Sequence, residues 1–239
     1  MGSLTDKGAK PPENRSSLAR APAARHSRPM QALRETILAN LAAFPRRALD
    51  ATDLRRAAVA IVVALHQGQP AYLLTRRAAG MRRNAGNYAL PGGGFEPGED
   101  AIDAAIRETA EEVGVQLART DALGLLDDFA TLGGHVVTPV VLWTADPLTL
   151  TPDPTEVQDA WFAPIEDLHH PEAPRSEPHP DGGEPILRMP MQGQWINPPT
   201  AAWLYQFREV ALAGRHTRVH AVGQPPGPPP SAIIRVQFT

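Results

Sequence analysis

The chain has 239 residues, of which 42% are hydrophobic and 21% charged; this is ordinary globular usage and enough to bury a core. Its formal net charge of −3 lacks the basic excess of a general nucleic-acid binder. It has no cysteine, which excludes disulfides, thiolate metal sites and cysteine nucleophiles.

Residues 1–28 are rich in Pro, Ser, Ala, Arg and Lys and contain no aromatic residue. They cannot bury enough surface to order themselves, so a flexible N-terminal tail is expected. "SRPMQALRETILANLAAF" follows, with Ser27 as a cap and Pro29 in the first turn. Leu33, Ile37, Leu41 and Phe44 recur at helical spacing, which predicts a helix packed on the main domain, residues 29–215. "AAVAIVVALH" (57–66) is a continuous apolar run, the pattern of a strand buried on both faces. "AYLLTRR" (71–77) predicts a second strand, and the glycines of "RAAGMRRNAGNY" a loop. "ALPGGGFEPGE" (89–99) is too broken by Pro and Gly to be regular throughout.

Residues 100–113 read as a helix, with Asp100 as cap, Asp103 three residues on and Gly114 as a C-terminal stop. Ile102, Ile106, Thr109 and Val113, with Ala105 beside them, form the inward face. Strands are expected at 122–129, 135–145 and 159–164. Residues 170–185 read as a long loop. "PPTAAWLYQFREVAL" (198–212) predicts a late helix capped by Asn197 and ended by Gly214. "GQPPGPPPS" marks residues 216–239 as a Pro-rich C-terminal tail. Strands around a central helix, with other helices outside, indicate a mixed α/β sandwich.

Within "RETAEEVG" (107–114), Glu108, Glu111 and Glu112 occupy positions i, i+3 and i+4. Like charges at that spacing destabilise a helix. With Ala105 and Ile106 facing inward, the three acids are expected to point away from the core. A shared hard cation such as Mg²⁺ or Mn²⁺ would remove their repulsion, because such ions take carboxylate oxygens together with substrate phosphates. Arg107 lies four residues before Glu111, placed to orient it. "PGGG" just before the helix offers a carbonyl with no side chain in the way.

The segment from Gly93 to Val115, "GGFEPGEDAIDAAIRETAEEVGV", resembles the signature of the Nudix hydrolases, G-x5-E-x7-R-E-U-x-E-E-x-G-U with U aliphatic. Every fixed position matches, and Thr109 stands at one U position. The resemblance implies an α/β/α sandwich around a mixed β-sheet. It also implies metal-dependent hydrolysis of a nucleoside diphosphate linked to another group, with Mg²⁺ or Mn²⁺ as cofactor and a small-molecule nucleotide as substrate. By the same resemblance, Glu108, Glu111 and Glu112 are the metal-binding acids, the Gly93 carbonyl a backbone ligand, and Arg107 the residue that orients the glutamates. Glu99 matches the acid at the loop–helix junction. The base is not fixed by the family; Glu108, Glu112 and Glu156, in the loop before a late strand, are its candidates.

"LLTRRAAGMRRNAGNYALPGG" (73–93) further resembles the segment that marks the coenzyme A diphosphatase branch. Leu73, Leu74, Thr75, Arg77, Arg82, Gly86, Pro91, Gly92 and Gly93 match it. Met81 and Leu90 replace Leu and Phe, Ala78 replaces Ser, and Asn84 replaces His. The branch implies cleavage of coenzyme A (CoA) to 3′,5′-ADP and 4′-phosphopantetheine, with Arg77, Arg82 and Asn84 at the substrate. Another nucleotide substrate (ADP-ribose, a nucleotide sugar or a nucleoside triphosphate) and a non-catalytic nucleotide-sensing module are the alternatives. No apolar run reaches membrane-spanning length and the first residues lack a hydrophobic signal core, so cytoplasm is the expected compartment, with no membrane partner.

Overall fold

The computed structural model describes residues 24–50, 52–80, 85–191 and 193–225. Residues 1–23 of the expected N-terminal tail, most of the Pro-rich C-terminal tail, Arg82 and Asn84 lie outside them; residues 24–28, expected in the tail, instead open helix α1, so Ser27 lies inside that helix and does not cap it, and Pro29 follows its first turn. Helix α1 spans Ala24–Ala43. Strands β1 (Arg55–His66) and β2 (Gln69–Arg77) form an antiparallel hairpin. The short strands β3 (Tyr88–Ala89) and β4 (Gly92–Gly94) follow, then helix α2 (Ala101–Val113). Strands β5 (Ala122–Leu125), β6 (Phe129–Thr131), β7 (His135–Trp143) and β8 (Val157–Pro164) complete an eight-stranded mixed sheet. The order of its main path is β3-β2-β1-β7-β5, with β4 on β1, β6 on β7 and β8 on β2.

The sheet is mixed because β1 runs parallel to β7, whereas β1–β2, β2–β8 and β5–β7 are antiparallel. β1 is apolar on both faces because both are covered. Ala58, Ala60, Val62 and Ala64 meet α2, while Ala57, Val59, Ile61 and Val63 meet the layer that includes α1 and the C-terminal helix. The α2 side is built from small residues: Ala104 and Ala105 pack with Ala58 and Ala60. Small side chains let a helix lie close to a sheet, and here that closeness brings the acids of α2 against β4.

The expected strand at 122–129 is divided. β5 ends at Leu125 and β6 begins at Phe129, and Asp127 and Asp128 turn inward between them. The expected loop at 170–185 contains strand β9 (Arg175–Glu177). β9 pairs with β10 (Ile186–Met191), which pairs with β11 (Gln194–Ile196), forming a separate three-stranded sheet.

The late helix is α3 (Thr200–Gln206), continuing as a π-helical turn over Phe207–Leu212. Asn197 does not cap it. Pro199 holds the cap position without a side-chain bond, and Asn197 contributes only its backbone carbonyl, to the Ala201 N–H. Residues 216–225, expected in the tail, lie on the domain. Val219 is buried, Arg218 pairs with Asp127, and Gly223 bridges to Ile186.

Candidate active site

The site is set by the start of α2. Asp100 accepts from the Ile102 and Asp103 N–H groups, and Asp103 accepts from the Asp100 N–H, a reciprocal cap that fixes where the helix begins. Arg119 pairs with both acids, and its hydrogen bond holds the Asp100 carboxyl well below the usual carboxylate range. At the other end Gly114 adopts φ 73°, the left-handed stop. A Cβ there would also overlap Thr151.

Nearly two turns into α2, Arg107 uses all of its nitrogens. Its Nε donates to Glu99 at 2.8 Å, one terminal nitrogen to Glu108 at 2.8 Å and Glu111 at 2.9 Å, and the other to the Gly94 carbonyl at 2.8 Å and Glu99 at 3.1 Å. A guanidinium has five N–H groups in a planar fork, and this arrangement employs the whole fork. These partners keep Arg107 protonated far above any working pH. Arg107 thereby ties the loop acid, two helix acids and β4 into one rigid unit. Glu99 is held below the usual range first by its Arg107 hydrogen bond and also accepts from the Glu96 N–H.

The three helix acids do not share one environment. Glu111 is largely exposed. Glu108 is half-buried, and burial raises its pKa against the lowering by Arg107. Glu112 is only 4% exposed, contrary to the expectation that all three acids point away from the core. Burial pushes Glu112 up to about 8, with Glu108 and Glu156 adding to the rise; Arg77 and a hydrogen bond from the Gly92 N–H oppose it. A helical period of 3.6 residues explains the difference: Glu112 falls between Thr109 and Val113 on the buried stripe, and Glu111 on the outer side.

Two further segments close on this face. The Asp153 N–H donates to the Glu112 carbonyl and the Thr151 N–H to the Val113 carbonyl, fastening the loop before β8 to the end of α2. The Glu156 carbonyl accepts from the Ala78 N–H, so Glu156 stands where β2 leaves the sheet, with its charge felt by Glu108 and Glu112. Arg77 sits at a register shift between β2 and β8, near enough to act on Glu112. Its Nε is buried and has no hydrogen-bond partner among the described residues. Arg76 braces the loop instead, its Nε donating to the Gly86 carbonyl at 3.2 Å.

Gly93 is required by space rather than by φ. A Cβ there would overlap the Glu108 carboxylate. Carboxylate oxygens and backbone carbonyls are the donor chemistry of a hard divalent ion. Among the described residues, no three Asp, Glu or His side chains already converge as an ion cage. Of the residues expected at the site, the structure brings Gly93, Arg107, Glu108, Glu112, Glu156 and Arg77 together and leaves Glu111 on the rim. Sequence reasoning missed the Gly92 N–H that donates to Glu112; the glycine run was its only signal.

Residues 54–181 match the family model described as the NUDIX domain, more than half of the chain. The chain belongs to the Nudix family. It is 36% identical over 115 residues to the uncharacterized Nudix hydrolase NudL of Photorhabdus laumondii, covering 48% of this chain and 62% of that one. It is 40% identical over 88 residues to the uncharacterized Nudix hydrolase NudL of Escherichia coli, covering 36% and 45%. These Nudix relatives are therefore matched over less than two thirds of their length. A solved NUDIX hydrolase from Alicyclobacillus acidocaldarius is 19% identical over 70% of this chain and 95% of its own, with a TM-score of 0.44. No helix among the described residues is long and apolar enough to cross a membrane.

Proposed function

We propose that this protein is a metal-dependent diphosphatase acting on a nucleoside-diphosphate-linked substrate, namely CoA or a CoA derivative. It would release 3′,5′-ADP and 4′-phosphopantetheine. The observation that carries the reading is the Arg107 fork, which fixes Glu108 against Gly93 beside the buried Glu112. A buried carboxylate with a raised pKa beside other acids is costly unless a cation completes it.

Glu108, Glu112, Glu111 and the Gly93 carbonyl are the residues that would hold Mg²⁺ or Mn²⁺. When bound, the ion neutralises the diphosphate and polarises phosphorus. Arg107 keeps Glu108 and Glu111 in place throughout, since none of its donors is left over for substrate. Arg77 offers a forked donor to a phosphate oxygen. Glu156, exposed in a loop fastened to both β2 and α2, takes the proton of the attacking water. Arg82 and Asn84 belong to the loop between β2 and β3 and would complete the substrate contacts.

CoA is favoured by the match of residues 73–93 to the CoA diphosphatase segment. The replacement of His by Asn84 favours the second reading, a different nucleotide such as ADP-ribose. Hydrolysis of CoA, ADP-ribose and dGTP with Mg²⁺ or Mn²⁺, products resolved by chromatography, decides between them. CoA cleaved best, with loss of turnover in Glu112→Gln, supports the reading. Faster cleavage of ADP-ribose or dGTP overturns the CoA assignment. Ligand-induced thermal shifts without turnover of any of the three would point to a sensing module.

A further inference from the structure

An open groove of about 620 Å³ lies next to the Arg107 unit, lined by Arg55, Arg56, Phe95, Glu96, Glu99 and His135 around Gly94. It adjoins the catalytic face directly. Gly94 and Glu99 are both held by Arg107, and Gly94 follows the proposed ion ligand Gly93 by one strand step of about 3.4 Å.

Half of the charged side chains in the groove are already committed. Arg56 serves Asp128 and the Leu49 carbonyl. Glu99 is bonded twice to Arg107. Two groups remain. Arg55 is exposed, and its guanidinium has no partner among the described residues; Glu96 is exposed, and its carboxylate has none either. Half-buried Phe95, which also packs against the α2-side core, adds an aromatic surface to the lining.

We infer that this groove is a subsite for the phosphorylated ribose of the nucleotide half of the substrate, with Arg55 as the residue that reads the 3′-phosphate. The inference rests on the proposed CoA reading. A forked guanidinium is the natural partner of a phosphate monoester. A carboxylate accepts from sugar hydroxyls, and Phe95 offers a face or edge to the base. The uncharged pantetheine arm has no use for an unpaired arginine. A nucleotide carrying both a phosphate and hydroxyl groups satisfies the cation and the anion together.

The test compares CoA with dephospho-CoA, which lacks only the 3′-phosphate. The wild-type protein should cleave CoA with the higher kcat/KM. In Arg55→Gln that ratio should fall by about tenfold, the size of one charge-assisted hydrogen bond, and the loss should lie in KM. Arg55→Lys, which keeps the charge but not the fork, should recover part of it. Titration calorimetry of adenosine 3′,5′-bisphosphate against AMP should show the same preference without turnover and its loss in Arg55→Gln. Equal cleavage of CoA and dephospho-CoA by the wild type overturns the subsite and leaves the proposed function standing. An unchanged ratio in a normally melting Arg55→Gln also overturns it. Cleavage of neither compound overturns the proposed function and the subsite with it.

Discussion

Arg107 and Glu112 sit five positions apart in one helix, yet burial gives them opposite tasks. Arg107 has every donor engaged, so its role is to hold other groups in place. Arg107→Lys keeps the charge but removes the fork, and a single ammonium cannot reach Glu99, Glu108, Glu111 and Gly94 together. Turnover should fall by about 100-fold, since misplacing a reacting group by an ångström costs that much. Circular dichroism should show the helix content unchanged. Glu112 makes a pH prediction. Its folded pKa of about 8 lies above its ordinary value of 4.5. A group raised in this way favours the protonated form in the folded state, so its contribution is present at low pH and is lost as pH rises from about 4.5 through 8. Without divalent ions, the melting temperature of the wild type should therefore fall across that window relative to Glu112→Gln. Mn²⁺ at pH 8 should raise the melting temperature of the wild type and leave that of Glu112→Gln unmoved. A wild type that loses nothing against the variant would show that Glu112 is ionised at little cost.

At the scale of elements, the site depends on how closely α2 approaches β4. Ala104 and Ala105 against Ala58 and Ala60 allow that approach, and Gly93 completes it. Gly93→Ala would push the Glu108 carboxylate aside. Turnover should fall to near background while urea unfolding shifts little, because β4 is short and only half-buried. The reciprocal cap offers the opposite case. Asp100→Ala should cost about 1 kcal/mol in urea denaturation and leave KM unchanged, because it removes a cap and not a substrate contact. Helix α2 was legible in the sequence to the residue, because cap, stop and acidic spacing are local signals. β1 was legible because a strand covered on both faces is continuously apolar. The divided strand at 122–131 and the sheet of β9, β10 and β11 were not. Their pairing is set by partners distant in sequence, and short strands interrupted by Pro, Asp and Gly carry no period of their own. The burial of Glu112 was missed for a related reason. The acids were read as one charged face, although one helical step separates the rim from the core.

Across the whole molecule, the least legible feature is how distant segments are fastened to the sheet. Asp127 and Asp128 sit between β5 and β6 with side chains almost fully buried. Asp128 joins Arg46, the Leu49 N–H, Arg56 and Thr138, tying the segment after α1 to β1 and β7. Asp127 joins the Arg47 N–H, Gln206 and Arg218, tying α3 and residues 216–219 to the same corner. Arg218 also lies over the Phe44 ring at 4.5 Å and donates to the Pro45 carbonyl. Further along, the Gln224 side chain spans the Ala130 carbonyl and the Leu132 N–H, and its backbone carbonyl accepts from His179 Nε2. Composition places 216–225 in a Pro-rich tail, whereas these contacts make it a strap across α1, the main sheet and the smaller sheet. Removing one partner of a buried pair leaves the other charge uncompensated, at about 3–5 kcal/mol. A chain ended after residue 215 should melt several degrees below the full chain, as Asp127 loses Arg218. Arg218→Ala in the full chain should reproduce much of that drop. Differential scanning calorimetry of the three proteins checks it, and equal melting of all three would show that the strap rests on the domain without supporting it.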